Sequence, residues 1–158
     1  MKLSRSTGLM AMTQPESDAL ITPRDIQRII TEKEQAQARE EMAQRKVRQE
    51  EQEHLHAAFL DREISPDVRR RFSHAVRRAV ERGEKEVMVL RFPSDWCTDG
   101  GRSINNAEPE WPATLDGYAK RAYDFFVTEL EPLGYRMHAL ILSFPGGMPR
   151  DVGIFVRW

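Results

Sequence analysis

The 158-residue chain has a single cysteine, Cys97, which excludes an intramolecular disulfide and leaves no second thiol for a zinc site. Its histidines are few and badly placed for metal. His54 and His56 stand two apart on a helical stretch and point to different faces, while His74 and His138 have no ligand-spaced neighbours. No stretch approaches the roughly 20 apolar residues needed to span a bilayer, and the leading MKLSRSTGLMAMTQPE lacks an apolar core of signal-peptide length. A soluble protein of the reducing cytoplasm, without membrane contact, is the expectation. A dominant charge sign is missing too. With 24 basic against 25 acidic residues and a net charge of -1, no global field draws the chain to nucleic acid or anionic lipid. Neither a glycine-rich nucleotide loop nor a Ser-His-Asp context occurs, so no catalytic residue, metal ligand or cofactor is assigned.

Glycine and further proline are absent from Arg24 to Arg62, where Glu, Gln, Lys, Arg and Ala dominate. Thr22 as N-cap, Pro23 at the first helical position and Asp25 in the first turn give that stretch a well-formed start. A long charged helix over 23–62 is expected, a rod of about 60 Å at the α-helical rise, preceded by a disordered leader over 1–22. Its apolar residues gather at the ends: Ile26, Ile29 and Ile30, then Leu55, Phe59 and Leu60. Heptads drawn from Ile29 or Ile26 run through Ala36, Ala43 and Glu50, or Lys33, Glu40 and Val47, a weak coiled-coil seam. The rod therefore reads as an arm for oligomerisation or docking through its apolar ends.

Residues 65–158 read as a small α+β domain in the order helix, strand, helix, strand, strand. Ser65 as N-cap, Pro66 at N1 and Gly83 as stop bound a helix with the apolar stripe Val68, Phe72, Ala75, Val76, Ala79 and Val80. Strands are predicted at Glu86–Phe92, Tyr135–Phe144 and Asp151–Trp158, the last two joined by PGGMPR as a hairpin. A helix from Thr114 to Leu130 lies between. The expected architecture is a three-stranded mixed or antiparallel sheet with helices packed on one face. The crossover is long enough for the second strand to run parallel to the first. Trp158 shares the parity of Val152, Ile154 and Val156, which predicts a core strand running to the C-terminus. So small a domain gains from burial in an oligomer.

Two constellations invite a functional reading. In the 93–113 loop, Asp95, Cys97, Asp99 and Arg102 crowd together with Gly100 and Gly101. The order of cysteine, glycines and arginine resembles the phosphate-binding loop of cysteine-dependent phosphatases. It departs from that loop in carrying Ser103 where the arginine belongs, and its acids oppose both a thiolate and an anion. Trp96 and Trp111 make the loop a self-packed element with exposed polar tips. On the second helix, Arg71, His74, Arg78 and Arg82 fall on one stripe beside the apolar face, and Pro66–Lys85 carries seven basic against three acidic residues. Such a stripe suits an anion, nucleic acid or an acidic partner. Base-stacking aromatics are not interleaved with it.

The leading expectation is thus a non-enzymatic interaction protein. It forms a homo-oligomer, or binds a protein partner, through Ile26, Ile29, Ile30, Leu55 and Phe59, with the 93–113 loop as a second contact. A nucleic-acid-binding regulator using the arginine stripe stands second. A small enzyme centred on Cys97, Asp99 and Arg102 stands third.

Overall fold

The computed structural model describes residues 19–158; the expected leader lies outside the described residues except for its last four. Among the described residues, four α-helices and three strands follow in order: α1 (Pro23–Asp61), α2 (Val68–Glu81), β1 (Glu86–Pro93), α3 (Arg102–Asn105), α4 (Gly117–Phe125), β2 (Arg136–Ile141) and β3 (Asp151–Arg157). The fold is α+β. Its contacts divide the chain into a unit up to Val47 and a unit from Arg48 to Trp158.

The N-terminal unit is helical from Pro23. Thr22 Oγ1 accepts from the Asp25 N–H at 3.2 Å, while the Asp25 carboxylate accepts from the Thr22 N–H at 3.1 Å and its hydroxyl at 2.6 Å. This reciprocal cap satisfies donors that a helix start leaves open.

In the second unit the strand order is β1-β3-β2, with both pairings antiparallel. β1 and β2 therefore run in the same direction with β3 between them. The long crossover brings β2 into the direction of β1, and β3 lies between them. Val152, Ile154 and Val156 alternate along β3 on the helix-covered face and are buried, joined there by Phe92 from β1. Strand pleat makes that alternation. Trp158 lies beyond the strand's last residue and is exposed, so the core strand stops one residue short of the expected end.

Helix starts are displaced from the predicted ones. The Ser65 hydroxyl bonds the Asp67 carboxylate and the Ser65 carbonyl accepts from the Val68 N–H, so Ser65 and Pro66 form a turn and Asp67 occupies the cap position of α2. Asp116, not Thr114, caps α4, because Trp111–Thr114 closes into a 3-10 turn of its own. Beyond Phe125 the helix widens into a π turn over Phe126–Leu130, which turns Phe126 and Leu130 onto Val156.

Phe59, near the end of α1, sits in the main core with Phe92, Cys97, Ile104, Leu115 and Ala119. Arg121 then caps the carbonyls of Leu60 at 2.7 Å and Arg62 at 3.1 Å, supplying donors that a helix C-terminus lacks.

Candidate functional site

The 93–113 loop is folded throughout. Ser94, nearly inaccessible, donates its N–H to the Arg150 carbonyl at 2.7 Å and its hydroxyl to the Pro149 carbonyl at 3.1 Å. The Thr98 N–H donates to the Thr114 carbonyl at 2.8 Å. Trp96 stacks on His56 with ring centroids 4.9 Å apart and packs on Phe59 at 4.7 Å, and Trp111 meets Tyr123 edge to face at 5.9 Å. Both indoles act as the plugs their positions suggested. Gly101 has φ +84°, and a Cβ there would stand 2.9 Å from Ser94 Cβ, so only glycine fits.

The loop's reactive groups do not converge on an open site. Cys97 is 4% exposed; burial pushes its thiol up to about 11, with the Asp99 charge adding and a bond to Thr114 opposing. Burial would raise the Asp99 carboxyl as well, yet hydrogen bonds from Ser103 and the Gly101 N–H outweigh it and hold that carboxyl below its ordinary value. The two N–H donors lie 2.8 Å and 3.0 Å from its oxygens. The Asp99 carboxylate thus accepts from N–H groups at the start of α3, whose cap position is Gly101. Asp95 and Arg102 are exposed. Among the described residues no group of three or more His, Cys, Asp or Glu side chains is placed to hold a metal ion.

The arginine stripe fares differently. Arg71, His74, Arg78 and Arg82 line a single groove of about 280 Å³, whose other walls are Ala75 and Val87. Helical spacing puts them on one face, and β1, an edge strand running along α2, supplies the far side. Arg82 is bound to Glu84 through two hydrogen bonds of 2.8 Å and 3.0 Å, which hold its guanidinium protonated and the Glu84 carboxyl below its usual range. Arg71, His74 and Arg78 make no salt bridge among the described residues. The groove therefore presents positive charge that is only partly compensated, by Glu84 at Arg82 and through space by Asp67 at Arg71.

The five apolar arm residues separate. Ile26, Ile29 and Ile30 are 45%, 50% and 43% exposed, and Leu55 is exposed as well. Phe59 is not available to a partner: it faces inward at 8% exposure because the loop and β1 close over it, with Phe92 5.4 Å and Tyr118 6.2 Å away between ring centroids. His56 is half-buried against Trp96.

One cleft escaped the sequence reading. It opens between the start of α2 and β1, lined by Arg62, Ser65, Arg71, Met88, Val89 and Tyr118 among others. Its signal was present in the unbroken apolar run Val87–Leu90, which breaks the alternation of a regular strand. β1 pairs Met88 with Phe155 and Leu90 with Ile154, leaving Val89 as an extra residue in a bulge. Among the described residues no helix is long and apolar enough to cross a membrane.

No family model matches the chain, and no match was found among the curated proteins or the solved structures compared with it.

Proposed function

We propose that this chain is a non-enzymatic interaction protein that self-associates through the N-terminal part of α1, its α+β domain carrying the folded loop as a second contact surface. The observation that carries the reading is the row Ile26, Ile29 and Ile30. Three β-branched apolar side chains stand open to solvent within two turns of one helix, where helical spacing makes neighbours of the first and third. Soluble helices place such stripes against something. The buried Cys97 thiol, raised to about 11, and the structural use of Asp99 support a binding role over a thiolate reaction.

Sedimentation of the full chain is the test. The expected result is a mass that is a multiple of 18.3 kDa, falling toward the monomer in the triple substitution Ile26→Gln, Ile29→Gln, Ile30→Gln with helicity unchanged. A monomeric parent chain, or a triple variant that associates equally well, removes the reading.

A second reading is favoured by a separate observation, the common groove of Arg71, His74, Arg78 and Arg82: a nucleic-acid-binding regulator that lays α2 along phosphates. It expects affinity for a short duplex to fall with salt. Substituting Arg71 and Arg78 by Ala should flatten the log-log slope by about 0.9 for each phosphate no longer neutralised. Binding indifferent to salt excludes it.

A further inference from the structure

α2 covers the sheet loosely at its N-terminal end. Val68, Phe72 and Ala75 face inward yet remain half-buried, because the bulged residue Val89 stands beneath them and the helix does not close on it. The space left has two parts. An outer mouth of about 280 Å³ is bordered by Arg62, Ser65 and Arg71. A deeper recess of about 80 Å³ runs inward past Phe72, Val89 and Leu90 to Phe126, Met137 and Ile154. The two share Val68, Phe72, Val89, Leu90 and Tyr118, so one leads into the other.

Their chemistry is divided. No charged residue lines the recess, which offers water few hydrogen-bond partners. The mouth has two charged residues, both arginine. Arg62 is held in place by its guanidinium lying 4.1 Å over the Tyr118 ring, and neither Arg62 nor Arg71 makes a salt bridge among the described residues. The nearby Asp67 carboxylate is engaged by Ser65 and by Arg70 at 3.1 Å. Asp67 also acts on Arg71 through space, but neither guanidinium is closed by a salt bridge, and an apolar recess behind two such arginines selects a ligand with one apolar end and one anionic end.

We propose that this cleft binds a small amphiphilic carboxylate, its apolar tail in the recess under α2 and its carboxylate between Arg62 and Arg71. The site uses none of the exposed isoleucines of α1 and stands whether or not the chain self-associates through them. The uncharged, apolar lining of the recess disfavours a continuous polyanion, which suits the groove further along α2.

Titration of the full chain with butanoate, hexanoate, octanoate and the uncharged octanol, followed by NMR on the methyl signals of Val68, Val89 and Leu90, tests the assignment. Affinity is expected to rise about fourfold per added methylene until the recess is filled, with octanol bound more weakly than octanoate. The double substitution Arg62→Ala, Arg71→Ala should weaken octanoate about tenfold and leave octanol unchanged, and Lys at both positions should restore part of the loss. Val89→Trp, which fills the recess from an exposed bulge, should abolish the chain-length dependence. The proposal is overturned if octanoate leaves the cleft methyls unshifted, if octanol binds as well as octanoate, or if removing both arginines has no effect. It is equally overturned if those methyls shift with protein concentration and octanoate cannot displace the change, since the occupant is then a second copy of the chain.

Discussion

The sulfur of Cys97 and the carboxylate of Asp99 stand two residues apart and serve opposite ends. One is buried and kept neutral; the other is charged and spends its oxygens on backbone N–H groups. Sign follows from that difference. The Cys97 thiol titrates near 11 in the fold against an ordinary 9.0, so its contribution to stability is complete below about pH 9 and is lost as pH rises through 11. For Asp99, lowered from an ordinary 3.8, the contribution is present above that value and is lost as pH falls through the lowered one. Alkylation of Cys97 by iodoacetamide near pH 8 is therefore expected to be at least about tenfold slower in the native chain than in urea. Equal rates would mean that the thiol is open. The sequence already carried half of this result: neighbouring acids predicted an unreactive thiol, whereas burial, the larger cause, comes from β1, the α3 turn and α4 meeting around it.

Helices and turns show where local rules hold and where packing displaces them. The Thr22-Asp25 cap at the start of α1 is set within four residues and appears where the sequence places it. At α4 the predicted Thr114 cap fails, because Trp111 must reach Tyr123 and draws its neighbours into a separate turn. The helix starts instead at Gly117, whose φ is +55° and whose missing side chain lets the backbone approach α1: a Cβ would lie 2.7 Å from Leu60 Cα and 3.0 Å from the Phe59 carbonyl. Gly117→Ala meets backbone on one side and a left-handed conformation on the other. It is expected to destabilise the domain by about 2 kcal/mol or more, measured as a shift in the urea midpoint. A midpoint within error of the parent would show that the two elements can move apart. α2 is the reverse case, a helix whose predicted apolar stripe buries Ala79 but leaves Val80 exposed, and whose N-terminal half the bulge at Val89 keeps from full burial.

For the molecule as a whole, the decisive residue is Phe59. It ends a helix that reads as a solvated rod, yet it belongs to the domain's core with Phe92 and Trp96. Phe59→Ala should therefore cost about 3–5 kcal/mol of domain stability. Shortening the chain from its start to Val47 should leave the domain's thermal transition within a few degrees, because the contacts of that domain begin at Arg48. If both changes lowered the transition equally, the division at Val47 would be wrong. The sequence by itself determined the α+β class, the long capped helix, the three strands and the basic face of α2, since each depends on local propensity, periodicity of 2 or 3.6, and turn chemistry. Only the tertiary structure decided the order β1-β3-β2, the burial of Phe59 and Cys97, the glycine at 117 and the cleft beneath α2. All of these arise where segments distant in the chain compete for the same space, and no local pattern records which of them occupies it.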